Sequence, residues 1–349
     1  MLSRPGEPLS RPGEPLSSWT TLRLGGPARD FVTVGDRRSL YDVVADLDAR
    51  GERVLVLGGG SNLVVPDAGF DGTVVKVATA GVNVGGDACG GVEVVTEAGE
   101  DWDALVARAV ASEWIGVEAL AGIPGTVGAT PIQNVGAYGQ DVADTVAAVE
   151  TFDRHERRTR TFFNADCKFG YRTSVFKQHP GRYIVGSVTF QFKPGSIGAS
   201  VRYAGLARTL GVEMGERATT RAIREAVLAL RRGKGMVLDP DDHDTWSAGS
   251  FFTNPFVDAD RLPEGAPGYP QPDGSIKTSA AWLIEQAGFA KGYGKGEVRV
   301  SSKHTLALTN RGRGTTEELL ALAREIRAGV RDRFGIDLDA EPTLIYASL

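Results

Sequence analysis

Apolar and polar positions change period repeatedly along this chain. Short apolar runs at Phe31 to Val34 and Val54 to Leu57 predict strands, and between them Leu40 to Ala49 carries apolar residues at helical spacing. Strand, helix, strand predicts a small α/β layer. A further strand is expected at Thr73 to Val77, after the run Gly58-Gly59-Gly60-Ser61-Asn62.

A second region runs from about Val92 through Phe190. Strands at Val92 to Ala98 and Val146 to Phe152 flank a helix at Trp102 to Ser112, with a long Gly-rich connection between them. A third region follows the helix Thr219 to Arg232 and includes helices at Ser279 to Gln286 and Thr316 to Phe334. Asp337 to Tyr346 reads as a short closing strand. The first residues are a tandem copy, Leu2 to Pro8 and Leu9 to Pro15, so rich in Pro and Gly that a disordered tail is expected over 1–17.

Composition narrows the function classes. A chain of 349 residues predicts more than one domain, and 42% hydrophobic with 24% charged residues is a soluble globular balance. Lys+Arg 39 against Asp+Glu 44 gives 39 − 44 = −5, which argues against a general nucleic-acid or membrane-surface binder. An anionic ligand therefore needs a local basic site. Cys89 and Cys167 are far apart, with no metal-like or redox-pair spacing, so neither a metal site nor a disulfide framework is expected. With no leader-like N-terminus and no apolar run of spanning length, a cytoplasmic protein without membrane insertion is expected.

Gly58 to Asn62 after a strand offers free backbone N–H groups and no Cβ obstruction, which suits a pyrophosphate. A plain tight turn is the ordinary alternative, and the glycine spacing is not that of the usual dinucleotide fingerprint. The segment Gly122-Ile123-Pro124-Gly125-Thr-Val-Gly128-Ala-Thr-Pro-Ile-Gln133-Asn134-Val-Gly136-Ala137-Tyr138-Gly139 is more unusual. Small residues recur where side chains would block a flat ring or a diphosphate, and Gln133 and Asn134 carry amides able to bond a heterocycle edge. A ligand-free Gly-rich Ω-loop is the competing reading.

These two loops, Cys167 to Lys177 with Tyr171-Arg172, Ala248 to Pro255 with Ser250 and Asn254, and the closing Glu341-Pro342 occur in the order of the UDP-N-acetylenolpyruvoylglucosamine reductases, the MurB family, which the chain resembles from about Thr20 to Tyr346. The resemblance implies an α+β protein with a vanillyl-alcohol-oxidase (PCMH) type FAD-binding fold in two subdomains and a C-terminal substrate-binding α/β domain. The expected division is 18–80 (joined by 335–349), 81–235 and 236–334. It implies FAD held by Gly58, Gly59, Gly60, Ser61, Asn62, Ile123, Pro124, Gly125, Gly128, Gln133, Asn134, Gly136, Ala137 and Tyr138. Neither loop carries a His or Cys, so the FAD is expected to be non-covalent.

By the same resemblance NADPH is the co-substrate and a UDP-amino sugar enolpyruvyl ether the hydride acceptor. Hydride adds at the terminal carbon of a double bond conjugated to a carboxylate, so charge moves into an enediolate. Arg172 corresponds to the family's catalytic arginine, Glu341 to its glutamate, and Ser250 to the serine that protonates the other carbon. Tyr203 matches the tyrosine of a loop that covers the nucleotide, with Tyr171, Lys234 and Asn254 as further substrate contacts. Taken singly, these residues read as a surface ion pair, a terminal carboxylate and a turn serine. The basic helix positions Arg221, Arg224 and Arg231 read either as a further aid to substrate grip or, more commonly, as a solvated amphipathic face, and the run Arg154 to Arg160 reads as a solvated turn between strands. A monomer is expected. A different flavin oxidase and a sugar-nucleotide-binding protein without flavin are the alternatives, and the trio Arg172, Ser250 and Glu341 favours the reductase.

Overall fold

The computed structural model describes residues 11–86 and 91–349. These divide into two compact units. The first comprises 11–14, Ala28–Gly59 and Asp71–Arg232; the second comprises Pro15–Pro27, Gly60–Phe70 and Gly233–Leu349. Both mix helices with strands, which is the α+β class expected.

In the first unit, helix α1 (Arg37–Ala49) starts where the Asp36 side chain accepts from the Ser39 N–H, and it buries Leu40, Tyr41, Val44 and Leu47 on one face. It connects Ala28–Val34 to Val54–Leu57, the outer strands of a three-stranded sheet centred on Phe70–Val77. Val54–Leu57 runs parallel to Thr73–Lys76. A larger antiparallel sheet is ordered Arg158–Phe163, Val146–Asp153, Tyr183–Pro194, Val92–Glu97, Val82–Gly85. Helix α2 (Trp102–Ala111), capped by Asp101, packs Trp102 at 6.0 Å from Phe190, and the indole N–H donates to the Leu120 carbonyl. Helices α3 (Val175–Gln178), α4 (Ala204–Leu210) and α5 (Thr220–Gly233) follow.

The second unit is built around Leu22, Val64, Phe251, Phe252, Leu283, Val300 and the inner face of its long helix. Helix α6 (Ala280–Gln286) is capped by Ser279. Helix α7 (Thr316–Phe334) opens on a capping box between Thr315 and Glu318 and stops at Gly335, whose φ of 66° is left-handed. Val298–Val300 and Leu308–Asn310 pair as a hairpin, and Thr343–Leu344 lies parallel to Leu63–Val64.

Two expectations need correction. The tail expected to be disordered over 1–17 is tied down from residue 11: Arg11 and Gly13 donate to Phe31 and Ala28, Ala28 donates to Glu14, and in the second unit Leu16 is buried in a 3-10 turn. An apolar side chain and a strand edge supply what composition did not reveal. The basic face of α5 is not solvated throughout, since Arg224 donates to Asp103 and burial pulls the Arg231 guanidinium below its ordinary pKa. The run Arg154 to Arg160 does form a turn between strands, over 154–157 and exposed from His155 onward, and continues into the edge strand Arg158–Phe163, with Arg154 in a two-pronged pair with Asp48. The insertion Asn83 to Gly91 begins as a strand opposite Glu93 to Val95. Cys89, the first tandem copy and residues 9 and 10 of the second lie outside the described residues.

Candidate active site

The two Gly-rich loops meet backbone to backbone within the first unit. A Cβ on Gly59 would lie 2.5 Å from Gly125 Cα, and one on Gly58 would lie 2.7 Å from Thr126 Oγ1. Only hydrogen side chains allow this approach. The Lys76 ammonium donates to the Gly58 carbonyl at 2.6 Å, and desolvation pulls its pKa down. The second loop is pinned along its length: Gly122 N–H to Asp103, Trp102 N–H to the Gly125 carbonyl, Val127 N–H to Glu100, and Gly128 N–H to Ala98. Gly128 has no room for a side chain, since a Cβ there would sit 2.5 Å from that of Ala98. Ile123, Pro124 and Gly125 remain half-buried.

Further on, three residues of this loop receive three residues of the Arg172 segment. Ser174 donates to the Ile132 carbonyl at 2.5 Å, Asn134 donates to the Gly170 carbonyl at 3.1 Å, and Arg172 Nη2 donates to the Gly136 carbonyl at 2.8 Å. The amide of Asn134 also accepts from Ala143 N–H, so this side chain shapes the loop itself. Gln133 accepts from Lys177 Nζ at 3.4 Å. Gly136 and Ala137 pair with Gln140 and Asp141 in a short hairpin. Asn134, Tyr138 and Arg172 all have φ near +50°, a conformation costly for side-chain-bearing residues; the bonds above hold it at Asn134 and Arg172, and Tyr138 takes it in the turn of the short hairpin. Arg172 stacks its guanidinium 5.4 Å from the Tyr171 ring centroid. Tyr203, 42% exposed, sets its ring edge-on to Tyr138 at 5.2 Å, and burial raises the pKa of the Tyr138 hydroxyl.

The second unit holds Ser250 and Glu341 on neighbouring backbone segments. Gly249 takes a φ of 72°, Phe251 N–H donates to the Leu306 carbonyl, and Glu341 N–H donates to the Phe251 carbonyl at 2.9 Å. Buried Phe251 and Phe252 anchor the irregular segment that carries Ser250, and Phe252 makes an isolated bridge to Ala340. Asn62 Nδ2 donates to the Glu341 carbonyl at 3.4 Å, and Thr343 N–H returns a bond to Asn62. Thr21 bonds Gly60, Ser61 and Ser247, which ties that loop to the turn before Ser250. Asn254 accepts from Ala280 N–H, an anchoring bond at the start of α6, and Lys234 is half-buried just after α5.

Two comparisons carry the assignment. The family described as UDP-N-acetylenolpyruvoylglucosamine reductase, C-terminal domain, matches residues 239–345, and that described as FAD binding domain matches residues 28–161. The reductase of that name from Cutibacterium acnes is 56% identical over 333 residues, 95% of this chain and 89% of the relative. The chain belongs to the UDP-N-acetylenolpyruvoylglucosamine reductase family. The Thermobifida fusca reductase is 53% identical over 346 residues, 95% of this chain and 97% of that protein. A crystal structure of the reductase from Thermus caldophilus, 26% identical, aligns with a TM-score of 0.65 over 97% of this chain and 98% of its own.

Sequence reasoning missed Lys76, Glu118 and Gln140, which brace the loops from behind. No motif marks them. Among the described residues no helix is long and apolar enough to cross a membrane, and no group of three or more His, Cys, Asp or Glu is placed to hold a metal.

Proposed function

We propose that this protein catalyses the NADPH-dependent, FAD-mediated reduction of UDP-N-acetylglucosamine enolpyruvate to UDP-N-acetylmuramate in peptidoglycan precursor synthesis. The supporting observation is that Arg172, the residue matching the family's catalytic arginine, is bonded to Gly136 of the second Gly-rich loop, so that the carboxylate-binding cation and the cradle are one piece. The approach of Gly58 and Gly59 to Gly125 and Thr126, closed to any Cβ, fits a bound flavin diphosphate. When bound, the flavin supplies hydride transfer from NADPH to the enolpyruvyl carbon.

The chain's own residues do the rest. Arg172 offers a fixed fork of donors to the substrate carboxylate and stabilises the charge that hydride addition drives into it. Glu341, by its match to the family's glutamate, assists the same enediolate as a shared or protonated carboxyl. Ser250 Oγ delivers the proton to the adjacent carbon, completing a net addition of two hydrogens across the double bond. Tyr203, Tyr171, Lys234 and Asn254 grip the sugar nucleotide. The protein works in the cytoplasm as a monomer.

Mixing FAD-loaded protein with NADPH and the enolpyruvyl sugar nucleotide tests substrate, donor and reaction together. The product is two hydrogens heavier than the substrate by mass. Consumption of NADPH without that product overturns the reading in favour of a different flavin enzyme, and a colourless purified protein that binds no added FAD leaves only a sugar-nucleotide-binding role.

A further inference from the structure

Glu118 is 0% exposed, yet every hydrogen bond given to its carboxylate comes from a neutral donor. Oε2 accepts from Gly116 N–H at 2.7 Å; Oε1 accepts from Gln140 Nε2 at 3.0 Å and Ala199 N–H at 3.2 Å. Gln140 in turn accepts from Ala119 N–H at 2.7 Å, so its amide is clamped at both ends. A buried carboxylate is costly and persists where oriented dipoles replace water. These dipoles come from three places: the 116–119 turn, the end of the second Gly-rich loop, and the segment leading to Tyr203.

The last two run side by side. Tyr138 meets Tyr203 ring to ring; a Cβ on Gly139 would lie 3.0 Å from Arg202 Cβ; Gln140 reaches Ala199 through the shared oxygen of Glu118. A Cβ on Gly198 would sit 2.7 Å from that same oxygen, so the backbone is drawn as close as glycine permits. On its other side the segment is laddered to 215–220, through Gly198 to Ala218, Val201 to Glu216, Gly215 to Val201 and Thr220 to Ser196.

We propose that Glu118 and Gln140 are positioning residues that lock the Tyr203 segment to the flavin-loop hairpin, so that nucleotide grip depends on a buried carboxylate remote from the substrate. The affinity side of this rests on the assignment of Tyr203 above. Without the Gln140 amide, Glu118 loses one of its donors and Ala119 its acceptor, the 138–140 hairpin and the 199–203 segment part, and Tyr203 is no longer preplaced.

The test uses FAD-loaded Gln140→Met, which keeps length but loses both bonds, with the gentler Gln140→Asn as a second variant. Amide hydrogen exchange over 196–206, without sugar nucleotide, is expected to quicken about tenfold or more, while Val92–Glu97 in the central sheet stays as in the parent. Direct titration with the enolpyruvyl sugar nucleotide is expected to show affinity weakened about tenfold in the parent background and unchanged within about twofold in a Tyr203→Ala background. Equal weakening in both backgrounds, or unchanged exchange over 196–206, overturns the lock. If Tyr203→Ala alone leaves affinity intact, the assignment of Tyr203 fails and the affinity side falls with it, while the exchange result still decides whether the lock exists.

Discussion

Ser250 precedes Phe251, whose N–H and carbonyl are both taken by neighbouring segments, so its hydroxyl is held on a fixed backbone. That favours a proton donor, and the role belongs to only one half of the proposed reaction. Ser250→Ala is therefore expected to leave bleaching of the flavin colour by NADPH within a few-fold of the parent. Recovery of colour with the enolpyruvyl substrate should slow by about a hundredfold or more. Rapid-mixing absorbance separates the two, and equal slowing of both would make Ser250 a structural residue. Gly59→Ala acts on the cradle instead. Its new methyl meets backbone at 2.5 Å, where no side chain can swing away, so the loops must separate. Retention of FAD through desalting should fall by about tenfold or more, a loss of at least roughly 1.4 kcal/mol in binding; a variant that purifies as yellow as the parent would show that the two loops do not form the cradle.

Among the elements, those with caps and one-sided apolar faces were legible in the sequence. Helix α7 has the bounds that its spacing predicts, because Thr315, Glu318 and Gly335 mark both ends. Val54–Leu57 likewise stands as expected. The strand Tyr183–Pro194 was not assigned, although it is the centre of the large sheet. Buried on nearly every residue of its first half, it shows no alternation to read. The closing strand shrinks to Thr343–Leu344 because Ala340 bridges Phe252 and Glu341 bonds Phe251. The turn before Ser250 depends on a buried acid of the same hidden kind. Burial pushes the Asp244 carboxyl up, but bonds from Ser302 and the Arg311 guanidinium outweigh it and hold the group below its usual range. A carboxyl lowered in the folded state stabilises above the unfolded value, and that contribution is lost as pH falls through the folded one. Asp244→Asn should thus cost roughly 1.5 to 3 kcal/mol near neutrality, with the gap to the parent closing below about pH 4. Urea melts at several pH values measure both; a gap independent of pH would remove the charge from the account.

At the scale of the whole molecule, glycine placement singled out the two loops that meet backbone to backbone, while the bracing behind them was not readable, because Lys76, Glu118 and Gln140 owe their roles to partners 18 to 81 positions away. Nothing local distinguishes them from surface residues. The same map bears on how flavin is retained. A covalent tether needs a reactive side chain at the cradle, and His155, His179, His243 and His304 all lie outside the two Gly-rich loops. Cys167 is buried, and desolvation pushes its thiol up to about 12, leaving no thiolate to attack a flavin. FAD should accordingly leave the denatured chain intact. Acid precipitation is expected to give a colourless pellet and a yellow supernatant whose mass is that of free FAD. Returning FAD to stripped protein at about a hundredfold its dissociation constant should then stabilise the fold by about 2.7 kcal/mol, seen as a higher melting temperature that depends on FAD concentration. Flavin that stays with the precipitated chain through washing would mean that a side chain outside these loops reaches it, and the non-covalent cradle would have to be abandoned.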